Sequence, residues 1–504
     1  MVLLGALPLA SAGIAGLAAV STVFGTVHGI TLAFGFTLIG VAQDYPIHLF
    51  SHRRPGVPAA QTARSVWPTL ATGVASTCIA YLAFLTSGVT GLEQLACFTI
   101  VGLAVASLAT RYGLPVLLPD SKVDYGESQR LASLWSRVAR LPRPAWLIPV
   151  LAALFGGIIL VTPGEFWESN LGKLTPIPEN LIARDTVLRR ELDAPDIRYL
   201  LAVHGGTADE VLTHLRALQE PLNALVATHA ISGFDDATHY LAPTSDQLRR
   251  QAQLPPPDEL RATLTTATAG LPFRANVFEP FLKDVETARH LPPLTPRALV
   301  GTPLALRLGG LIIERDKGWT GLVTFSEVQD AQSLRELAAQ ARGTIALLDL
   351  KQASEDLVVH QRERILLSLA MAAALLVAVI AIALRSLERV GRVLAPMTLT
   401  TLLILAVLHG SGVALNLFHL IALVLAAGLG LDYALFFEHA AHDPREQRRT
   451  LHAVIVCSIS TFVVFAVLAL SSLPVLRAIG VTVALGVLGN FVLSLLLSRP
   501  RAAA

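Results

Sequence analysis

Charge is scarce in this sequence. Asp, Glu, Lys and Arg together make up 15% of its 504 residues, against about a quarter in a soluble domain. Those present fall mainly in 119–143, 165–365 and a few short loops, so the remainder is more apolar than the overall 53% hydrophobic content suggests. The net charge of +2 is small and scattered, which excludes the basic footprint of a nucleic-acid binder. Cysteine is scarce too. Cys78, Cys97 and Cys457 lie in apolar runs without metal-ligand spacing, excluding a disulfide framework or a zinc site and marking small core residues. No G-x-x-x-x-G-K-[ST] loop occurs, which argues against an ATP-driven pump. His204, Asp209 and Glu210 have no metal or nucleophile constellation around them, so no enzyme chemistry and no cofactor are expected.

What is abundant is the long apolar run. About 20 such residues cross a hydrocarbon core of roughly 30 Å. Ten runs meet that rule: 3–24, 29–51, 68–87, 91–117, 145–162, 363–385, 393–413, 416–438, 451–471 and 475–498. The first lacks the basic n-region of a signal peptide and reads as a true span. Lys and Arg gather on the cytoplasmic side of short loops. The loops with Arg53, Arg54 and Arg64, with Lys122 to Arg143, with Arg385, Arg389 and Arg392, and with Arg445, Arg448 and Arg449 all fall on one side. The tail carrying Arg499 and Arg501 joins them. Met1 is therefore expected inside and 163–362 outside.

Repeated halves are common in transporter folds. A shift of 388 residues places Pro8 on Pro396, Gly40 on Gly428, Asp44 on Asp432 and Tyr45 on Tyr433. After a loop that differs by four residues, a shift of 384 places Ser76-Thr77 on Ser460-Thr461 and Gly102 on Gly486. The matched spans run in the same direction, so the repeat reads as parallel. The second half has a lead-in span, a polar region and a further span before its repeat begins. The first half has no counterpart, and the sequence reads as an N-terminally shortened form of a twelve-span protein.

Region 163–362 changes character, with many Pro and charged residues. RYLLAVHG (198–205), GWTGLVTF (318–325) and 344–350 read as strands, with helices over 208–226 and 329–341. Such an order suggests an α+β or split βαβ domain. From Ser354 a continuous helix is expected to enter the span at 363.

The chemistry lies in GVAQDY (40–45) and GLGLDY (428–433). Asp44 precedes Arg53 by nine residues, placing it about 13 Å from the cytoplasmic edge at the helical rise. Asp432 falls at the corresponding depth. A charged side chain at the midplane costs at least about 2.5–3.5 kcal/mol, so such residues face the bundle interior and usually serve ion or proton pathways. Neighbours on one helix point about 100° apart, so each tyrosine is badly placed for its own aspartate. Crossed partners, Asp44 with Tyr433 and Asp432 with Tyr45, suit two helices packed side by side, with Gly40 and Gly428 permitting close approach. The competing reading is a polar clamp that does not titrate. Ser76, Thr77, Ser460 and Thr461 are candidate supporting hydroxyls, although such residues usually bond to their own backbone. His48, one turn beyond Asp44, is a candidate extension of a proton path, and Phe436 occupies its equivalent. His52, His28, His409 and His419 read as interfacial.

These residues resemble a family. Gly-x-x-x-Asp-Tyr in two equivalent spans, with a large polar domain between spans, is similar to the MMPL-type exporters of the resistance–nodulation–division superfamily, over essentially all of 1–498. The multidrug branch of that superfamily sets two acids on the fourth span against a lysine on the tenth, and this sequence has no such lysine. The resemblance implies a polytopic α-helical membrane protein with two parallel-repeat helical bundles, about ten spans of an expected twelve, and one external α+β porter-like domain. Its parts would be a first-half bundle (1–118), a cytoplasmic linker (119–144), a lead-in span (145–162), a periplasmic porter domain (163–362), a second-half bundle (363–498) and a cytoplasmic tail (499–504). The implied function is export of lipids or other hydrophobic molecules across a bacterial inner membrane. Proton influx would drive it through Asp44, Tyr45, Asp432 and Tyr433, with protons the coupling ion. Membrane lipids, a lipid-linked substrate, a second copy and accessory envelope proteins are the partners expected. The alternative is a non-transporting lipid-binding scaffold or sensor.

Overall fold

The computed structural model describes residues 2–497 except 30, 33–34, 36–41, 142–145, 175–176, 193, 197, 275, 316–317, 341–342 and 441–442. They group into two compact units, Met1–Pro176 with Glu355–Ala504, and Ile177–Ser354.

The first unit is helical because its apolar runs must satisfy their backbone groups internally. In chain order it contains α1 (Val2–Phe24), α2 (Asp44–His52), α3 (Ala59–Leu85), α4 (Thr90–Leu108), α5 (Gln129–Ala139) and α6 (Leu147–Val161). The second unit holds β1 (Tyr199–Gly205), α7 (Ala208–Ala227), β2 (Ile231–Asp235), β3 (Ile312–Arg315), β4 (Gly318–Val328), α8 (Ala331–Gln340) and β5 (Ile345–Asp349). The chain then forms α9 (Leu350–Leu384), α10 (Leu387–Gly410), α11 (Leu417–His439), α12 (Pro444–Ala469) and α13 (Pro474–Leu497).

Eight helices among the described residues are long and apolar enough to cross a bilayer: α1, α3, α4, and α9 to α13. The protein is a polytopic helical membrane protein. Of the ten expected spans one is shorter than expected, and one falls partly outside the described residues. The 145–162 run forms the 15-residue α6, about 22 Å at 1.5 Å per residue and shorter than a hydrocarbon core of roughly 30 Å. The 29–51 run contributes α2, while 36–41 lies outside the described residues. The Gly40 expectation falls there, and so does the 499–504 tail.

Packing within this unit follows the halves. α1 and α3 pack on α4, while α10 and α12 pack on α13. Between the halves the contacts cross, with α2 lying on α12 and α11 on α3. Helix α11 is central, with 17 of its 23 residues buried. Leu420, Ile421, Leu425 and Leu429 of this helix join Tyr81, Phe84, Leu92 and Leu95 in one core.

The second unit is an antiparallel sheet of order β2-β4-β1-β5, with β3 also pairing β4. The long β4 carries β3 against Gly318–Gly321 and β2 against Thr324–Val328 along one side, and β1 along the other. Helix α7 buries Val211, Leu215, Leu218 and Leu222, the stripe expected of an amphipathic helix laid on a sheet. Its N-cap, Thr207, accepts a 3.1 Å bond from the Glu210 amide, satisfying one of the free donors there. Gly321 lets α7 approach, since a Cβ there would lie 2.6 Å from Val211 Cγ1 and 2.9 Å from Leu215 Cδ1. Gly321→Val should therefore destabilise this unit by about 1–3 kcal/mol. Urea-dependent proteolysis of 177–354 in the full chain reads that loss.

Candidate functional site

The two Asp-Tyr pairs come together in the interior of the helical unit. Asp44 opens the described part of α2 and is 3% exposed; Asp432 lies late in α11 and is 7% exposed. Each precedes the last residue of its helix by seven or eight positions, about 10–12 Å along the axis. Tyr45 and Tyr433 are buried as well.

The two helices meet at positions that the 388-residue shift pairs. His48 of α2 stacks on Phe436 of α11, with centroids 3.6 Å apart and planes within 10°. Each aspartate contacts the opposite half. Asp432 sits on Gly73 of α3, so closely that any Cβ at 73 would overlap its Oδ1. Asp44 sits against Cys457 of α12, whose Sγ is 4.0 Å from the Asp44 backbone oxygen. Gly73 and Cys457 are themselves paired by the 384-residue shift. One turn along, a Cβ on Gly428 would lie 3.2 Å from Thr77 Oγ1, so the close approach expected at Gly428 is made to α3.

The crossed hydrogen bond expected from Tyr433 to Asp44 is not formed. The Tyr433 hydroxyl, both Asp44 carboxylate oxygens and Asp432 Oδ1 are all buried without a hydrogen-bond partner. Polar groups enclosed in this way are costly unless a proton or water completes them.

Two of the expected supporting hydroxyls are otherwise engaged. Ser76 donates to the carbonyl of Thr72 at 2.7 Å and Ser460 to that of Cys457 at 3.0 Å. With their only protons on their own helices, neither can donate to a carboxylate, which corrects that expectation. Thr77 packs on Gly428, and Thr461 Oγ1 is buried without a partner. His48 Nδ1 is also unpartnered.

Beyond His48 a polar chain leads to the basic end of the helices. His52 Nδ1 contacts the His48 carbonyl at 2.9 Å, and its Nε2 lies 3.3 Å from Thr450 Oγ1 and 3.6 Å from Glu446. His52 is therefore enclosed by α12. Glu446 also pairs with Arg54, and with Arg449 at 2.9 Å. Arg449 binds Asp124 through two bonds, 2.9 Å from Nε and 2.6 Å from Nη2, the bidentate geometry suited to guanidinium and carboxylate. This fork holds the Asp124 carboxyl below the usual carboxylate range. Its contribution is present at neutral pH and is lost only as pH falls through that lowered value. Asp124→Asn should lower the amide protection factors across 119–128 at pH 7, read by hydrogen exchange against the unaltered protein at the same pH. Of the other histidines, His419 closes a capping box with Asn416, and His409 Nε2 lies 3.2 Å from the Thr162 carbonyl.

The geometry brings in Gly73, Cys457, Phe436 and Asp124, none of which the sequence marked as functional. The first three were accessible in principle, because the shifts that pair Asp44 with Asp432 also pair Gly73 with Cys457 and His48 with Phe436. The Asp124–Arg449 fork joins residues 325 positions apart and leaves no local signal. Among the described residues no cluster of three or more His, Cys, Asp or Glu could hold a metal.

Residues 325–500 match the model of the MMPL family. The MMPL segment contains GLGLDY and runs from within β4 to the end of α13, so the resemblance carried by the Asp-Tyr motif holds over that stretch. No curated protein matches the chain. Among solved structures, the crystal structure of SecDF in its super-membrane-facing form aligns at 12% identity with a TM-score of 0.48. The alignment covers 98% of this chain and 57% of that one, so the chain spans a little over half of the SecDF length.

Proposed function

We propose that this protein is a proton-driven secondary exporter of hydrophobic or lipid-like molecules across a bacterial inner membrane. Asp44, Tyr45, Asp432 and Tyr433 form its relay, and protons are its coupling ion. The observation that carries the proposal is the burial of both aspartates where the halves meet, with the Asp432 carboxylate on Gly73 and the Asp44 backbone oxygen against Cys457. Each acid of one half is held by a helix of the other, so movement between the halves changes the surroundings of both acids at once. That is the requirement for a proton to enter from one side and leave toward the other. In this reading the two bundles form a parallel repeat about the His48–Phe436 stack. The α+β unit is a periplasmic porter domain, and membrane lipids and a lipid-linked substrate are the molecules handled. The MMPL match over the half that holds Asp432 supports the same assignment.

Reconstitution tests it. Vesicles holding the full chain, a lumenal pH dye and a fluorescent lipid-like cargo should show gradient-dependent cargo movement and a matching proton flux. Cargo binding with neither gradient dependence nor proton flux would instead make the protein a lipid-binding scaffold.

A further inference from the structure

A second feature lies in the helical unit. Between α1, α2, α12 and segment 119–125 is a cavity of about 1020 Å³, at the upper end of the ~300–1,000 Å³ usual for ligand pockets. Its wall is two-faced. One side is apolar, from Leu9, Ile47, Phe50 and Val456; the other carries Ser51, Arg53, Lys122 and His452.

Arg53 is the unusual member. It is 2% exposed, and only its Nη2 has a protein partner, the Pro119 carbonyl. Nε and Nη1 are enclosed with none. A buried cation lacking acceptors is costly unless an anion completes it. Asp120 is also in the wall, yet no hydrogen bond joins it to Arg53. Lys122 stands exposed at the same end and adds a second positive charge. Ser51 and His452 are tied to each other at 2.9 Å, and Tyr125 stacks on His452 at 3.6 Å, so this end of the wall is rigid.

We propose that this cavity binds a membrane amphiphile with an anionic head. The head sits between Arg53 and Lys122 and the chain lies along Leu9, Phe50 and Val456. An anionic head there offsets the guanidinium charge, and the apolar wall accounts for a cavity far larger than an inorganic anion needs. Gln43, Pro46 and Ile47, on either side of the Asp44-Tyr45 pair, belong to the same wall, so an occupant touches the helix turn that holds Asp44. The binding site stands whether or not Asp44 and Asp432 carry protons.

The test is equilibrium binding of chain-labelled phosphatidylglycerol to the full protein in detergent. Phosphatidylcholine with the same label and inorganic phosphate as competitor are the controls. Phosphatidylglycerol should bind about 10-fold or more tighter than phosphatidylcholine, and Arg53→Gln and Lys122→Gln should each remove most of that preference, as expected for charge-assisted bonds. Ala6→Trp, at an exposed position of α1 that lines the cavity, should block both lipids by filling it. Lys122→Gln and Ala6→Trp keep the test decisive should Arg53→Gln fail to fold. Asp432→Asn, outside the cavity wall, should bind as the unaltered protein does, which separates this site from the transport reading. Equal binding of the two lipids, or phosphatidylglycerol binding that Lys122→Gln and Ala6→Trp leave unchanged, overturns the proposal. Full displacement by inorganic phosphate also overturns it, assigning a free-anion site instead.

Discussion

Asp44→Asn and Asp432→Asn should each abolish gradient-driven cargo movement while leaving the protein folded and in the membrane. Removing a side chain that transfers a proton typically costs about 10²–10⁴-fold in rate, and a loss in that range, down to protein-free vesicles, is expected for either variant. The substitution is chosen for shape. Asn matches Asp in volume, so Asp432→Asn keeps the contact with Gly73, and the Asp44 contact with Cys457 is made by its backbone oxygen and is untouched by Asp44→Asn. What is removed is only the capacity to gain and lose a proton. A clamp between helices needs no titration and would survive both changes, because an amide is as good a polar plug as a carboxyl. The double variant should be no worse than either single one, since residues that act as one device lose nothing further once it is broken. Substantial transport by both single variants would sink the relay reading and leave the clamp.

How far the sequence revealed this arrangement depended on the kind of signal. GVAQDY and GLGLDY stood out because a carboxylate in an apolar run is rare and because it occurred twice at a fixed shift. The strands of β1 and β4 and helix α7 were legible from their periodicity, as was the continuous α9. Strands β2 (ISGFD) and β3 (IIER) were missed; they are short and carry Gly or charge, and they owe their existence to pairing with β4 rather than to their own pattern. Gly73 and Cys457 were silent for a different reason. Small residues are common in spans, and which one faces a carboxylate depends on how two helices are rotated against each other. The hydroxyls illustrate the reverse. Ser76 and Ser460 stood at matching positions, yet each bonds to its own helix, the ordinary fate of serine in a helix interior. His48 was visible as a residue but not as half of a stack, because its partner Phe436 looks like any other apolar side chain in α11. Similarly, the Arg449–Asp124 fork could not be foreseen from charges whose spacing in sequence is unrelated to their distance in space.

Gly73→Val should be as damaging to transport as loss of the aspartate itself, and more damaging to the fold. Asp432 Oδ1 occupies the place where a Cβ at 73 would be, and the three atoms nearest that Cβ all belong to the Asp432 side chain. Relief requires either that the Asp432 side chain leave its seat or that α3 and α11 separate. Overpacking of a close contact costs about 1–3 kcal/mol, so a lower melting temperature of the full chain is expected together with loss of cargo movement. The equivalent position of the other half behaves differently. Cys457 already has a side chain in contact with Asp44, so Cys457→Ala should cost little transport, and Cys457→Val only slightly more. This asymmetry distinguishes the crossed seating from a general intolerance of bulk near the midplane. If crowding alone mattered, valine at 73 and at 457 would do comparable harm. If each acid is held by the opposite half as the geometry requires, position 73 admits no side chain at all, while position 457 tolerates any small one. Combining Asp432→Ala with Gly73→Val completes the test: removing the carboxylate frees the space for the new side chain, so the melting temperature should recover while transport stays lost. A double variant that melts as low as Gly73→Val alone would place the clash elsewhere and remove the basis for the crossed pair.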